Sequence, residues 1–302
     1  MPTPAGRADR EGATFLALRL RLEDISYSYP LPGREESRAI SGVSFEVEPG
    51  EVLCVAGANG SGKSTLAQVC AGLLTPSAGQ LYYGGERIEG RAALFGLRRR
   101  IGLVFQSPED QLFADTVEKD IAFGPRNHGF RGDELETRIR EAASLLSLPL
   151  ESLGKRSPFS LSQGEKRRVA LAGVLALSPE VLVLDEPFIG LDFEGREHLK
   201  AALERYRAAR DTSVIIVTHD LADSWRLADR FALLSAGRLT RLAGRPELLA
   251  AGADLSDTGM RLPQWGVLAA GMERLGIRAD DPADPASLAR AIASFREARN
   301  GG

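Results

Sequence analysis

The sequence predicts an α/β chain built on a mostly parallel sheet, and three observations lead there. Continuous apolar runs at Val52–Ala56, Val181–Leu184 and Val214–Val217 read as parallel strands covered on both faces. Helical patterns alternate with these runs, and polar residues follow at the strands' C-terminal ends, where such sheets place their ligands. Between the first run and a helical stretch from Leu66 to Leu74 lies a glycine-rich loop with the spacing G-x-x-x-x-G-K-S.

Residues 1–13, rich in Pro, Gly, Ala and charge, are expected to form a disordered tail. From Thr14 to Tyr29 the pattern alternates, with Leu16, Leu18, Leu20 and Leu22 on one face, as in an antiparallel strand. A loop over Pro30 to Glu36 and a second alternating run, Ile40 to Val47, complete an N-terminal antiparallel β lobe. Tyr29 closes the first strand, either as an ordinary edge aromatic or as a stacking platform for an adenine ring.

The loop itself is Gly57-Ala58-Asn59-Gly60-Ser61-Gly62-Lys63-Ser64-Thr65. Its glycines let successive backbone N–H groups converge into an anion-binding nest. The following helix adds about half a positive charge at its N-terminus. Lys63 can reach the β- and γ-phosphates, and the Ser64 hydroxyl can enter a magnesium shell. Strand, loop and helix in this order predict binding of a nucleoside triphosphate.

Gly79 to Ile88 reads as a hairpin, and Ile101 to Phe105 as a buried strand followed directly by Gln106. Residues 107–177 form a helical subdomain, with residues 115–175 mostly helical. Glu197 to Arg210 is helical, and Phe231 to Leu234 is the last strand expected, with Gly237 as its turn. After Gly244 several short helical patterns are broken by Pro263, Pro282 and Pro285, so residues 245–302 read as a small helical extension.

Bulk composition narrows the function. The chain has 302 residues, 43% hydrophobic and 26% charged, with a formal charge of −3, which gives no global field to attract nucleic acid. Cys54 and Cys70 are expected as unpaired core thiols of a reducing compartment. The longest nearly apolar stretch, Val169 to Leu184, is interrupted by Ser178-Pro179-Glu180 and is not a membrane span. With no signal-peptide h-region in its first residues, the chain is expected to be cytoplasmic, reaching a membrane only through a partner.

Four further features point from phosphate binding to hydrolysis. Asp185, ending the Val181–Leu184 run, is placed to bind magnesium directly or through water, and Glu186 can accept a proton from an attacking water. Gln106, at the end of a neighbouring strand, has an amide that could meet magnesium or that water. His219 ends another strand, where a ring N–H can hydrogen-bond the γ-phosphate. Ser162-Gln163-Gly164-Glu165 opens a helix, and its S-x-x-E spacing marks a capping box. That helix end is either a plain cap or a second anion site. If it faces outward, two chains could pair head to tail, each completing the other's site.

Together these residues resemble the ATP-binding-cassette (ABC) ATPases over roughly residues 16–243. The resemblance implies a P-loop NTPase core over residues 14–244, with ATP as substrate and Mg2+ as cofactor. Gly57 to Thr65 then corresponds to the Walker A loop, and Gln106 to the Q-loop glutamine. Leu161 to Glu165 matches the signature motif, Val181 to Glu186 Walker B, Asp192 the D-loop, and His219 the switch histidine. Tyr29 falls where that family places its adenine-stacking aromatic. A sandwich dimer with two ATP at its interface follows from the same resemblance.

A narrower likeness lies in Ser107 to Pro125, which looks like the segment after the Q-loop in energy-coupling-factor ATPases of vitamin and cobalt or nickel importers. There the segment lies against integral membrane subunits, and the tail after Gly244 is similar to that group's dimerising extension. The implied protein is peripheral on the cytoplasmic face of the membrane, with a second ABC ATPase and membrane subunits as partners and no nucleic acid. Gln163 and Glu165 depart from the commonest signature residues, as Phe188, Ile189 and Phe193 depart around the D-loop, which leaves homodimer and heterodimer both open. Competing readings are an ABC ATPase of another transporter class and a soluble nucleotide-dependent ABC protein. A chromosome-maintenance cassette would need long heptads, zinc modules or a basic patch, and none is present.

Overall fold

The computed structural model describes residues 19–30, 37–107, 111–251, 255 and 258–300. The expected tail over residues 1–13, the start of the first strand and most of the loop after Pro30 lie outside them. The chain runs β1 (Leu20–Tyr29), β2 (Ser37–Val47), β3 (Val52–Gly57), α1 (Lys63–Cys70), β4 (Ala78–Tyr83), β5 (Glu86–Arg87), α2 (Gly90–Arg98) and β6 (Ile101–Val104). A helical stretch follows: α3 (Val117–Asn127), α4 (Gly132–Leu145), α5 (Leu150–Leu153), a 3-10 turn at Pro158–Ser160 and α6 (Gln163–Leu175). Then come β7 (Val181–Asp185), α7 (Phe193–Arg210), β8 (Ser213–Thr218), α8 (Leu221–Ser224), β9 (Arg230–Ser235) and β10 (Arg238–Gly244), with α9 (Arg245–Ala251), α10 (Gln264–Arg274) and α11 (Pro285–Asn300) closing the chain.

Two sheets form. The smaller has the order β2-β1-β4-β5 and is antiparallel throughout. The larger has the order β10-β9-β3-β8-β7-β6, parallel except for β10. The mixed α/β expectation holds. One strand was not expected: β10 follows Gly237 and pairs antiparallel with β9, so Phe231–Leu234 is not the last strand.

Why the central runs are apolar without alternation is visible in the packing. Leu182 and Leu184 of β7 enter one core cluster, while Val181 and Val183 enter another. On β8, Val214 and Ile216 divide from Ile215 and Val217 in the same way. Successive side chains point to opposite faces, and both faces are covered, so every position is buried. Full burial of each such side chain stabilises the fold by about 1.5–3 kcal/mol relative to exposure. One cluster fills the space between the two sheets and α1; the other joins the helical stretch and the C-terminal helices to the parallel sheet.

The extension after Gly244 packs on its own chain. Trp265 of α10 meets Trp225, just past α8, edge-on with ring centroids 4.9 Å apart. Arg226 pairs with Asp281 at 3.2 Å. A Cβ built on Gly259 would stand 3.4 Å from the Ala58 Cβ, so this part of the extension lies beside the glycine-rich loop.

Candidate functional site

Strand register brings the sequence-predicted residues to one edge. β3 ends at Gly57, β8 at Thr218, β7 at Asp185 and β6 at Val104, and the paired partners Ala56↔Thr218, Asp185↔Val217 and Val104↔Leu184 keep these ends level. The glycine-rich loop, the acidic pair, His219 and Gln106 therefore emerge side by side from four adjacent parallel strands.

In the loop, Gly60 and Gly62 take φ of 79° and 98°, left-handed positions that fold successive amides inward. Gly62 has a second reason to be glycine: a Cβ there would collide with the Ala39 carbonyl oxygen. Lys63 Nζ donates to Gly57 O at 2.8 Å and Ala58 O at 2.9 Å, bridging the loop from inside. Burial lowers the Lys63 pKa, opposed by the nearby Glu186 and Asp185 charges. Ala58, Asn59 and Gly60 are exposed, whereas Ser61 is buried with its hydroxyl unpartnered among the described residues. The turn at Gly237 donates its N–H to Ser61 O at 3.1 Å, so the β9–β10 connection supports the loop.

Asp185 and Glu186 are both buried. Burial raises the Asp185 pKa, and the nearby Ser64 hydroxyl opposes that rise. Asp185 Oδ1 has no hydrogen-bond partner among the described residues. An orphaned anionic oxygen beside a hydroxyl at the start of α1 fits a hard divalent cation of Mg2+ type.

Glu186 is held at both oxygens. Thr218 Oγ1 donates to Oε2 at 3.1 Å, and His219 Nδ1 lies 2.8 Å from Oε1. With the carboxylate as acceptor, Nδ1 is the donor of this pair. Glu186 N donates to Val217 O at 2.8 Å, and its own φ is 50°, a left-handed conformation uncommon outside glycine. Such strain persists only where surrounding bonds impose it. Thr218 was not singled out in the sequence; its position directly before His219 at a strand end was the available signal.

Gln106 is exposed beyond β6. Nearby, Gln111 takes the place of a neighbouring strand: its side chain accepts from Phe105 N at 3.1 Å and donates to Leu103 O at 3.0 Å, closing the sheet's edge. Residues 108–110 of the segment compared with importer ATPases lie outside the described residues. Beyond them Asp120 Oδ2 accepts from Phe113 N at 3.0 Å and Ala114 N at 2.8 Å. Phe113 and Phe123 meet edge-to-face at 4.5 Å, yet both are exposed, 57% and 47%. Tyr29 sits over α1, its hydroxyl 3.2 Å from Thr65 Oγ1 and its ring edge-on to Tyr27.

The Ser162 helix end opens α6 and does not follow one of these strands. Glu165 N donates to Ser162 Oγ at 3.3 Å, and Ser162 N donates to Glu165 Oε2 at 2.8 Å, the reciprocal pair of a capping box. Ser162 and Gln163 are exposed. Asp192 caps α7 in the same manner, accepting from Gly195 N at 2.8 Å, and Phe193 beside it is 81% exposed. The sequence starts this helix at Glu197; the structure starts it at Phe193, one turn earlier, because Asp192 supplies the cap.

An anion loop beside a buried, doubly held carboxylate, on neighbouring parallel strands, defines a nucleotide-hydrolysing cassette. Residues 40–189 match the ABC transporter family model. The chain is 37% identical over 248 residues to an energy-coupling factor transporter ATP-binding protein of Clostridium perfringens, covering 82% of this chain and 87% of the relative. A relative of the same description from Ligilactobacillus salivarius is 40% identical over 250 residues, 82% of this chain and 86% of its own. Among solved structures, cbiO1 of Clostridium perfringens, part of the ABC transporter complex cbiONQ, superposes with a TM-score of 0.70 at 34% identity, covering 83% of this chain and 98% of that one. The dimeric cassette MJ0796 bound to ADP and Pi gives 0.68 at 27% identity, covering 74% and 98%. The chain belongs to the ABC transporter family, among the ATP-binding proteins of energy-coupling factor transporters. It is an ATPase. Among the described residues no helix is long and apolar enough to cross a membrane.

Proposed function

We propose that this chain is the ATP-hydrolysing subunit of an energy-coupling-factor importer for a vitamin or a transition-metal ion, peripheral on the cytoplasmic face of the membrane. One observation carries the reading. The chain gathers a triphosphate loop and a proton-accepting carboxylate at one sheet edge, while a second helix end, at Ser162, stands exposed on the surface. A neighbouring ATPase, identical or related, supplies the second half of each site, Ser162, Gln163, Gly164 and Glu165 closing over the nucleotide held by Gly57 to Thr65. The exposed Val267, Leu268, Leu275 and Phe295 of the extension support a role in pairing. The ordered, exposed Phe113–Phe123 pair, within the 106–125 segment, supports contact with an integral membrane subunit.

In this reading Tyr29 stacks on the adenine, and Lys63 with the loop amides holds the phosphates. Asp185, Ser64 and Gln106 would hold Mg2+, which when bound neutralises charge on the β- and γ-phosphates. Water bonds to the γ-phosphorus as the bond to the leaving oxygen of ADP breaks, and the water's proton passes to Glu186. Thr218 and His219 keep the carboxylate aimed in the single chain, and in the closed state the one ring N–H of His219 passes from Glu186 to the γ-phosphate. Asp192 lies at the seam between the two chains. ATP does work here because it binds the closed pair better than the open one.

The test is recovery of the tagged chain from membranes in mild detergent. A second cassette ATPase and integral subunits are expected with it; a chain found only in the soluble fraction, without integral partners, overturns the reading.

A further inference from the structure

We propose that Arg167 is a positioning residue for hydrolysis, tying helix α6 to the two turns that carry Gln106 and Glu186. Its place is one turn past the Ser162 cap. Nη1 donates to Pro187 O at 2.9 Å and also to Ile189 O, and Nη2 donates to Gln106 O at 3.1 Å. One guanidinium thus joins three carbonyls from two turns that are 81 residues apart at their nearest ends, Gln106 and Pro187.

These carbonyls need an outside donor. Pro187 and Ile189 follow Glu186, whose φ of 50° begins a tight turn whose own backbone bonds among the described residues are long, Ile189 N to Glu186 O and Leu191 N to Phe188 O, each 3.3 Å. Gln106 lies past the end of edge strand β6, where no ladder continues. The planar fork of Arg offers several donors at fixed angles, which the point charge of Lys does not reproduce. Arg167 therefore makes the exposed cap at Ser162, the Gln106 turn and the Glu186–Asp192 turn one rigid unit. It leaves the phosphate loop's own hold, Lys63 on Gly57 O and Ala58 O, untouched. Loss of Arg167 then affects catalysis and pairing while sparing nucleotide binding by the single chain.

The inference rests on the paired-site reading above, and the experiment separates the two. ATP turnover by the full chain is measured for wild type, Arg167→Met, Arg167→Gln and Arg167→Lys, beside ATP-driven pairing in a Glu186→Gln background. Expected are a kcat for Arg167→Met and Arg167→Gln lowered by about tenfold or more with KM for ATP within about twofold, and partial rescue by Lys. Weakened pairing of the Glu186→Gln, Arg167→Met double variant is expected as well. An unchanged kcat, or a KM that rises while kcat holds, overturns the proposal. If Arg167→Met fails to fold, the Lys and Gln variants decide by the same split. Failure of the Glu186→Gln parent to pair would overturn the paired-site reading alone, because the kcat and KM comparison needs no pairing assay.

Discussion

His219 Nδ1 stands 2.8 Å from Glu186 Oε1, while the preceding Thr218 donates to the other oxygen at 3.1 Å, so adjacent residues of one strand end fix both oxygens of a carboxylate on the next strand. Glu186→Gln is expected to lower kcat by about 100-fold or more, since the proton acceptor is gone, with ATP binding retained. Thr218→Val removes one hydrogen bond of about 1.5 kcal/mol to an ionised acceptor and should cost about tenfold. Steady-state turnover and nucleotide binding on purified protein check both. Undiminished hydrolysis in Glu186→Gln would remove the proposed acceptor.

Asp185 gives a stability prediction with a definite sign. Burial raises its pKa, so the folded state holds the proton more tightly than the unfolded one. Stability from this group is then full at low pH and is lost as pH rises through the folded pKa. Asp185→Asn should therefore raise the melting midpoint at pH 7 by about 2 °C or more, an advantage that disappears toward acid pH. The same variant should lose Mg2+-dependent turnover. A lower midpoint at neutral pH would contradict the account.

The exposed cap at Ser162 predicts a separation of binding from pairing. Ser162→Arg places a bulky side chain on the surface, where it blocks a second chain's approach without touching the nucleotide loop of its own. Nucleotide affinity of the single chain should stay within about twofold while ATP-driven dimers vanish on size exclusion. Hydrogen bonds from the Ser162 backbone and hydroxyl hold the Glu165 pKa below the ordinary range, and in the proposed pair that negative charge would oppose an incoming phosphate. Glu165→Gln keeps the capping geometry without the charge and should tighten pairing by about two- to tenfold. Equal loss of binding and pairing in Ser162→Arg would make this end merely structural.

Cys54 and Cys70 are buried on either side of the phosphate loop, and burial pushes both thiols up to about 12. With so little thiolate, neither should react with a disulfide reagent at pH 8 in the native protein over minutes. Both should react once denaturant is added. Rapid labelling of the folded chain would show that the loop's surroundings open readily.

How much could be read from residues alone depended on where each one's partners lie. Val181–Leu184 and Val214–Val217 announced themselves because strands covered on both faces leave no polar position, and their polar successors marked the site's edge. β10 did not: in Arg238–Gly244 every residue is at least partly exposed, and an irregularity between Leu239 and Arg241 breaks the alternation that would have marked a strand. α2 was missed for a similar reason, since only Leu97 of its nine residues is buried. The Ser162–Glu165 box was legible because both partners lie within four residues. Arg167 was not, because its acceptors are backbone carbonyls, which carry no sequence signal and come together only when the chain has folded.

Trp225 and Trp265 are the only tryptophans in the chain, and their rings touch. The intrinsic emission of the unlabelled protein thus originates at one place, the junction between the strand-end segment that begins with His219 and the first long helix of the extension. Any tilt of that segment against α10 changes the mutual quenching of the two indoles. The molecule carries its own optical gauge of how its two parts sit together, readable in a stopped-flow cuvette with no dye attached.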